Sequence, residues 1–517
     1  MLKILLTALI IFVLSISFAQ ETSEPEDAQP PQQKEGGFSM VGGLGTITMD
    51  GETYTQLIFR PELKFWKFGI GLDISLLINS DGDIYDEEWD EWEDYVKKIY
   101  YIRYGEKYRD FFYGRIGGFP QFTLGRGLIM SDYTNMLEYP SKRQIGLNIA
   151  LSPSTLAKGE IFTSDITKNE LLAARVISIP LSKMELPLIS NLILGVSAAT
   201  DRDQFGAVPD DDDDDIPDVF DAFPQDGARW ADTDDDGWAD FYMHGNDQIW
   251  EDIDADGDNQ IDSTFIDNSF FYVDLNGDTI YYQGSDDDII YENPFSIKGK
   301  SDPITIVGAD VSLPIYQSQF LTITTYSEVA QIIDHKMGFI FPGFQFDFMI
   351  FRTLLEYRIF QEDFQANYFN MLYDSQRAIV SGDSIITKES TLSGIPSANG
   401  WYGEIRATLG NIFFARLAYE DMRGDNYKNG KTFYGKAGIS NGLIPKLNEL
   451  SVAYSQIHVE KIFSDFKNPN SMIEGRLGYD MGGSTVLYLI YQERYRYNVE
   501  GKIEPIKTMN FSIQMRF

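Results

Sequence analysis

Aspartates at every second position, closed by a glycine, are the densest chemical signal in this chain. Asp232, Asp234 and Asp236 precede Gly237, and Asp240 follows. Asp252, Asp254 and Asp256 precede Gly257, with Asp258 and Asp262 beyond. Carboxylates at alternate positions of a loop converge on one hard cation. The glycine permits the sharp turn, and a later acid completes the shell directly or through water. Ca2+ suits this array because it accepts about six to eight oxygens in loose geometry, whereas Mg2+ demands a tight octahedron. Zinc wants His or Cys. The chain has no Cys and three His, at 244, 335 and 458, which also leaves thiol chemistry out and His-based catalysis with few candidates.

A further copy precedes these two. The run Asp210–Asp215 is followed by Asp218, Asp221 and Phe223-Pro224, and the spacing to Trp230-Ala231-Asp232 repeats the theme. This stretch resembles thrombospondin type 3 repeats, in which aspartates wrap calcium and the chain has little other core. The resemblance implies three ligand sets: Asp210, Asp212, Asp214, Asp218 and Asp221; Asp232, Asp234, Asp236 and Asp240; Asp252, Asp254, Asp256 and Asp262, with Asp258 adjoining. Asp215 stands where glycine is expected, and the cysteines of animal repeats are absent. A fourth unit, Asp274, Asn276 and Asp278, lacks the closing glycine and reads as a turn. The competing reading is a solvated acidic brush.

Of the net charge of −37, the segment 201–300 carries −26, from thirty acidic and four basic residues. Nine more acids lie between Asp81 and Asp94 without metal-binding spacing, which reads as a solvated loop. The remainder is close to neutral. Nucleic acid is excluded as a partner, because phosphate binding needs basic surface.

These loops need a frame, and both chain ends describe one. Met509, Phe511, Ile513, Met515 and Phe517 alternate with Thr508, Asn510, Ser512, Gln514 and Arg516. A period of two is a strand with one apolar and one polar face. Ending on Phe517, it resembles the C-terminal sorting strand of bacterial outer-membrane β-barrels. That resemblance implies recognition by the barrel-assembly machinery and contact with outer-membrane lipid. At the other end Lys3, the apolar run Ile4–Phe18 and Ser17-Phe18-Ala19 form a secretory signal over 1–19, cleaved before Gln20. The apolar run is short of the roughly 20 residues of a membrane-spanning helix. Residues 20–36, rich in Glu, Pro and Gln, read as a flexible periplasmic lead-in.

Between the ends, stretches of about ten residues repeat the alternation. Phe413, Ala415, Leu417 and Tyr419 face one way, and Phe414, Arg416, Ala418 and Glu420 the other. Connectors alternate between short (66–67, 107–110, 182–190, 314–318) and long (80–97, 120–142, 201–300, 361–400). Short periplasmic turns and long outer loops have this parity. The sequence therefore predicts an all-β transmembrane antiparallel up-and-down β-barrel of about 16–20 strands with an acidic calcium-loop insert. The first half of the strands occupies 37–200, the extracellular insert 201–300, and the second half 301–517. On the lumen side the alternation places Glu404, Arg406, Arg416, Glu420 and Arg476. Leu124-Gly-Arg126-Gly127, in an outer loop, resembles the "LGRG" stretch of some porin-like barrels, and folded inward it brings Arg126 into the channel. The expectation is a porin-like passive channel for small solutes in the outer membrane. The alternative is an adhesion or scaffold protein that displays the insert on a barrel anchor, and the partner of that insert is left open. No nucleophile elbow or Ser–His constellation argues for an enzyme.

Overall fold

The computed structural model describes residues 37–49, 52–79, 98–137, 143–184, 188–232 and 296–516, apart from 155, 383, 411, 441–442, 465, 483–484 and 498–501. Between 233 and 295 it describes Ala239 and short strand pieces. The signal and lead-in segments and Phe517 lie outside these residues. Two compact units divide the chain, one of 1–201, 304–373 and 392–517, the other of 202–303 and 374–391.

The first unit is built on one large antiparallel sheet. Its strands are β1 (Gly37–Met49), β2 (Glu52–Phe65), β3 (Phe68–Leu72 and Ile74–Ile78), β4 (Ile99–Tyr104), β5 (Phe112–Gly117), β6 (Gly146–Ser154), β7 (Ala157–Thr163), β8 (Leu171–Ser178), β9 (Ile193–Asp201) and β10 (Ile304–Gln317). Then follow β11 (Leu321–Ile332), β12 (Met337–Phe348), β13 (Phe351–Phe360), β14 (Ala398–Leu409), β15 (Phe413–Arg423), β16 (Lys431–Ser440), β17 (Leu447–Val459), β18 (Ser471–Gly482), β19 (Thr485–Tyr497) and β20 (Ile503–Arg516). Each strand pairs with the next in the chain. The ladder closes where Ser39 faces Arg516 and Gly42 faces Ile513. Among the described residues this sheet thus has twenty-one strand segments, or twenty strands, an even number, when the two segments of β3 on either side of Asp73 are taken as one.

The sequence reading missed β4. Its residues, Ile99-Tyr-Tyr-Ile-Arg-Tyr104, set amphipathic tyrosines on both faces and blur the alternation. Pro314 is not in a turn, as expected, but inside β10, at a register shift between Pro314 and Tyr316. A bulge is where a strand tolerates the missing N–H. The turn itself lies at 318–320.

The distribution of side chains on the sheet is inverted relative to a water-soluble protein. On β8 Val176 is 59% exposed, whereas its neighbour Arg175 is 7% exposed. On β9 Val196 is 63% exposed and Ser197 3%. On β15 Leu417 is 54% exposed and Glu420 4%. Apolar groups line the outer face and charged groups the interior. Exposed aromatics gather near the short-turn end, at Trp66, Phe111, Phe320, Phe348, Phe351 and Phe413. Others, including Phe341 and Trp401, lie near the opposite end. No helix among the described residues is long and apolar enough to cross a membrane.

The second unit joins residues from two different connectors. Gln204 donates its backbone N–H to Ser301 at 2.8 Å, and Arg377 Nη2 donates to the Asp203 carbonyl at 2.7 Å. A hairpin, Ala378–Ser381 with Ser384–Thr387, belongs to this unit. The insert is therefore larger than the expected 201–300: it recruits 374–391, which the sequence reading left with the second half of the strands.

Candidate functional site

The charged inner face of the sheet is covered by its own connectors. The connector after β5 turns inward as a hairpin, Phe122–Leu124 with Met130–Tyr133. The connector after β13 follows alongside: Ser131 donates to the Phe369 carbonyl at 3.1 Å and Asn367 to that of Leu128 at 2.9 Å. Phe122, Leu124, Leu128, Tyr133, Phe364 and Phe369 are fully buried against wall residues such as Phe162, Ala330 and Ile340. Phe122 stacks on Phe162 with centroids 4.0 Å apart. These wall positions sit near the strand ends that carry the long connectors, so the apolar core caps that end of the lumen.

Below the core lies a layer of charge. Gly125 and Gly127 adopt positive φ (65° and 96°), and a side chain at Gly125 would meet Glu328 Oε1 at 2.6 Å. The turn they form aims two backbone N–H groups at Glu328 of β11: Arg126 at 3.2 Å and Leu128 at 3.0 Å. The Arg126 side chain crosses to Ser312 (2.6 Å) and Gln345 (3.2 Å), over the ring of Tyr326. Arg175 pairs with Asp310 at 2.6 Å. Arg358 lies between Glu356 (2.5 Å) and Glu420, and Tyr326 donates to Glu356 at 2.6 Å. Arg416 grips Asp132 of the hairpin with both terminal nitrogens, each at 2.8 Å, and its Nε reaches Glu404 at 2.9 Å. Arg406 also bonds Glu404.

Of the residues placed in the lumen from sequence, Arg126, Glu404, Arg406, Arg416 and Glu420 thus join hairpin-to-wall or wall-to-wall networks. Arg476 pairs with Glu449 at 3.2 Å and keeps 39% of its side chain exposed. Sequence reasoning missed the partners, Asp132, Glu328 and Arg358. Strand alternation marks Glu328 and Arg358 as lumen-facing. Nothing local marks Asp132, because a loop that folds inward has no periodicity to betray it.

In the second unit, carboxylate oxygens of Asp210, Asp212 and Asp214 lie within 4.8 Å of one another. The turn is built by side chain to backbone bonds: Asp210 accepts from the N–H groups of Asp214 (3.3 Å) and Asp215 (3.1 Å), and Asp218 from that of Asp211 (2.8 Å). Asp215 adopts φ 74°, supplying the left-handed turn for which glycine was expected. Asp221 accepts from Phe223 N–H at 2.7 Å through one oxygen. Its other oxygen, both oxygens of Asp212 and one of Asp214 are buried with no hydrogen-bond partner. Buried acceptors normally find partners, and this donor set fits a calcium ion. Asp232 is described and half-buried. Asp234, Asp236, Asp240, Asp252, Asp254, Asp256, Asp258 and Asp262 lie outside the described residues.

Burial first, and then Asp212, Asp221 and Asp210, push the Asp214 carboxyl up to about 6. Burial, then Asp212, Asp218 and Asp210, do the same to Asp221, also to about 6. Folded values above the ordinary 3.8 mean that the cation-free loop holds protons more tightly than the unfolded chain. That stabilisation is complete below about 4 and is lost as pH rises through about 6. A cation that replaces those protons binds better over the same window. Calcium affinity measured by calorimetry should be at least about tenfold weaker at pH 5 than at pH 7.

No family model matches the sequence, and no curated relative does. Solved structures that align over most of the chain include OpdK and Wzi, both described as outer-membrane proteins, and OprD. Pseudomonas aeruginosa OprD has 8% identity and a TM-score of 0.27, over 96% of this chain and 99% of that one. OpdK from the same organism has 10% and 0.28, over 94% and 99%. Escherichia coli Wzi, described as a carbohydrate-binding β-barrel involved in group 1 capsule assembly, has 9% and 0.30, over 93% and 84%. Likeness at this level assigns neither family nor activity.

Proposed function

We propose that this chain is an outer-membrane β-barrel whose lumen is a passage for small charged solutes, closed at its outer end by inward loops. The observation that carries this is the inverted sheet, with Val176, Val196 and Leu417 outward and Arg175, Ser197 and Glu420 inward. Exposed apolar strands are costly in water and favourable in lipid, and a closed ladder leaves no backbone group unpaired in hydrocarbon. On this reading, short periplasmic turns and long outer loops give both termini to the periplasmic side and the acidic insert to the outside of the cell. Below the loop core, Arg352, Arg406 and Asp347 retain between 22% and 29% side-chain exposure, which supports a solvated lower lumen. Charged walls of this kind screen solutes.

The insert completes the reading. Asp210, Asp212, Asp214, Asp218 and Asp221 would hold one Ca2+, and the later aspartate units would hold others. Each bound Ca2+ offsets two of the 26 net negative charges of the segment, which lowers its self-repulsion and favours an ordered loop. The adhesion or scaffold reading has one observation of its own, the apolar core that fills the outer end of the lumen. Planar-bilayer recordings on the refolded protein separate the two. Passage predicts discrete ohmic channels. A barrel that stays sealed at all voltages, in the parent protein and after its inward hairpin is released, hands the case to the anchor.

A further inference from the structure

Strand register creates a row of charge that no single strand reveals. Arg352 of β13 lies directly opposite Arg406 of β14. Arg406 lies opposite Arg416 of β15, and Arg416 opposite Lys436 of β16. Four cations therefore occupy one level of four adjacent strands, with about 4.8 Å between neighbours. Like charges directly opposite one another destabilise a sheet. At the ends of the row stand acids: Asp347, paired with Arg352, and Glu474, separated from Lys436 by Ala453. Within it, Glu404 serves both Arg406 and Arg416. The two wall carboxylates in contact with the row, Asp347 and Glu404, serve three of its four cations, and Lys436 forms no ion pair among the described residues.

The remaining contact comes from outside the wall. Asp132 reaches Arg416 from the inward hairpin with two parallel bonds of 2.8 Å, the fork geometry of guanidinium and carboxylate. Its backbone takes φ 56°, a conformation unusual for a side-chain-bearing residue, and Gln121 braces the carboxylate. The guanidinium is held on its other sides by Glu404 and by the ring of Tyr434, 4.7 Å from its centre. Arg416 is thus fixed in place to receive a carboxylate, and the carboxylate it receives comes from a connector hairpin and not from the strands of the wall.

We propose that Arg406, Arg416 and Lys436 form a lumen site for a small dicarboxylate, and that Asp132 is its tethered occupant. One carboxylate of the solute takes the place of Asp132 on Arg416, and the second lies against Lys436 on the next strand. The hairpin competes with the solute and leaves the site when the solute enters. This rests on the interior of the closed sheet being a solvated lumen, and not on conduction.

The test is calorimetric titration of succinate into the full-length protein in detergent micelles, with neutral succinamide as control. A competitor removed from the site raises apparent affinity by the fraction of time it had blocked it. Asp132→Asn should bind succinate at least about tenfold more tightly than the parent. Adding Arg416→Gln should abolish that gain. Lys436→Gln touches no hairpin contact, and in the parent background it should weaken succinate binding several-fold while the near-ultraviolet circular dichroism is unchanged. The proposal is overturned if folded Asp132→Asn binds no more tightly than the parent, if Lys436→Gln binds equally well, or if succinamide binds like succinate. Channels that conduct normally alongside any of these results would leave the passage reading standing, and a sealed barrel that binds succinate as described would remove that reading alone.

Discussion

Replacing Phe122 and Tyr133 together by alanine is expected to open the lumen, seen as a several-fold rise in single-channel conductance. Phe122 stacks on Phe162 at 4.0 Å, and Tyr133 meets Phe162 at 6.0 Å and Tyr373 at 6.5 Å, all edge or face contacts inside the apolar core. Truncating a buried aromatic costs about 3–5 kcal/mol. Two such losses fall on a hairpin whose other attachments include the Glu328 and Arg416 contacts, the Arg126 bonds to Ser312 and Gln345, and the backbone bonds to Asn367 and Phe369. The strands keep their ladder, so the barrel should still resist unfolding in detergent. Limited proteolysis should now cut between Phe119 and Asn135. Cleavage there without any change in conductance would show that the hairpin is not what closes the passage.

The second large effect is expected in the insert. Calcium at about 1 mM, the range typical of extracellular modules, should protect residues 202–303 from protease, and Asp212→Ala with Asp214→Ala should remove the protection contributed by the first loop. These two aspartates carry three of the buried oxygens that lack a partner, so the double change deletes the centre of the donor set. The barrel should be indifferent, because its strands satisfy their own backbone groups. Equal cleavage rates with calcium and with chelator, and no heat of binding, would reduce the ladder to an acidic brush.

The frame of this molecule was legible in its sequence because an apolar outer face and a charged inner face impose a period of two on its strands. The faces assigned to Arg416, Leu417 and Glu420 are those observed, and connector parity implied a strand near Ile99 even where tyrosines hid its pattern. The contents of the interior were legible only at Arg126, which the Leu124–Gly127 stretch suggested would turn inward. Pro120–Lys142 reads as an outer loop by length and polarity, and its inward path depends on long-range packing of Phe122 and Tyr133 against Phe162. Register was equally hidden. Arg352, Arg406, Arg416 and Lys436 look like scattered polar positions until the ladder lines them up. In the insert, Asp215 counted against the first loop by residue type alone, whereas an aspartate is able to take the left-handed turn.

The second unit draws on two connectors, 202–303 and 374–391, and four strands, β10 to β13, are made between them. In the folded chain Gln204, Asp203 and Asp302 bond Arg377 and Thr387 of the later connector. The earlier connector therefore cannot complete its fold from its own residues. Deleting 374–391 should leave the strand ladder intact and expose 202–303 to protease, so the later connector acts as a clasp on the earlier one.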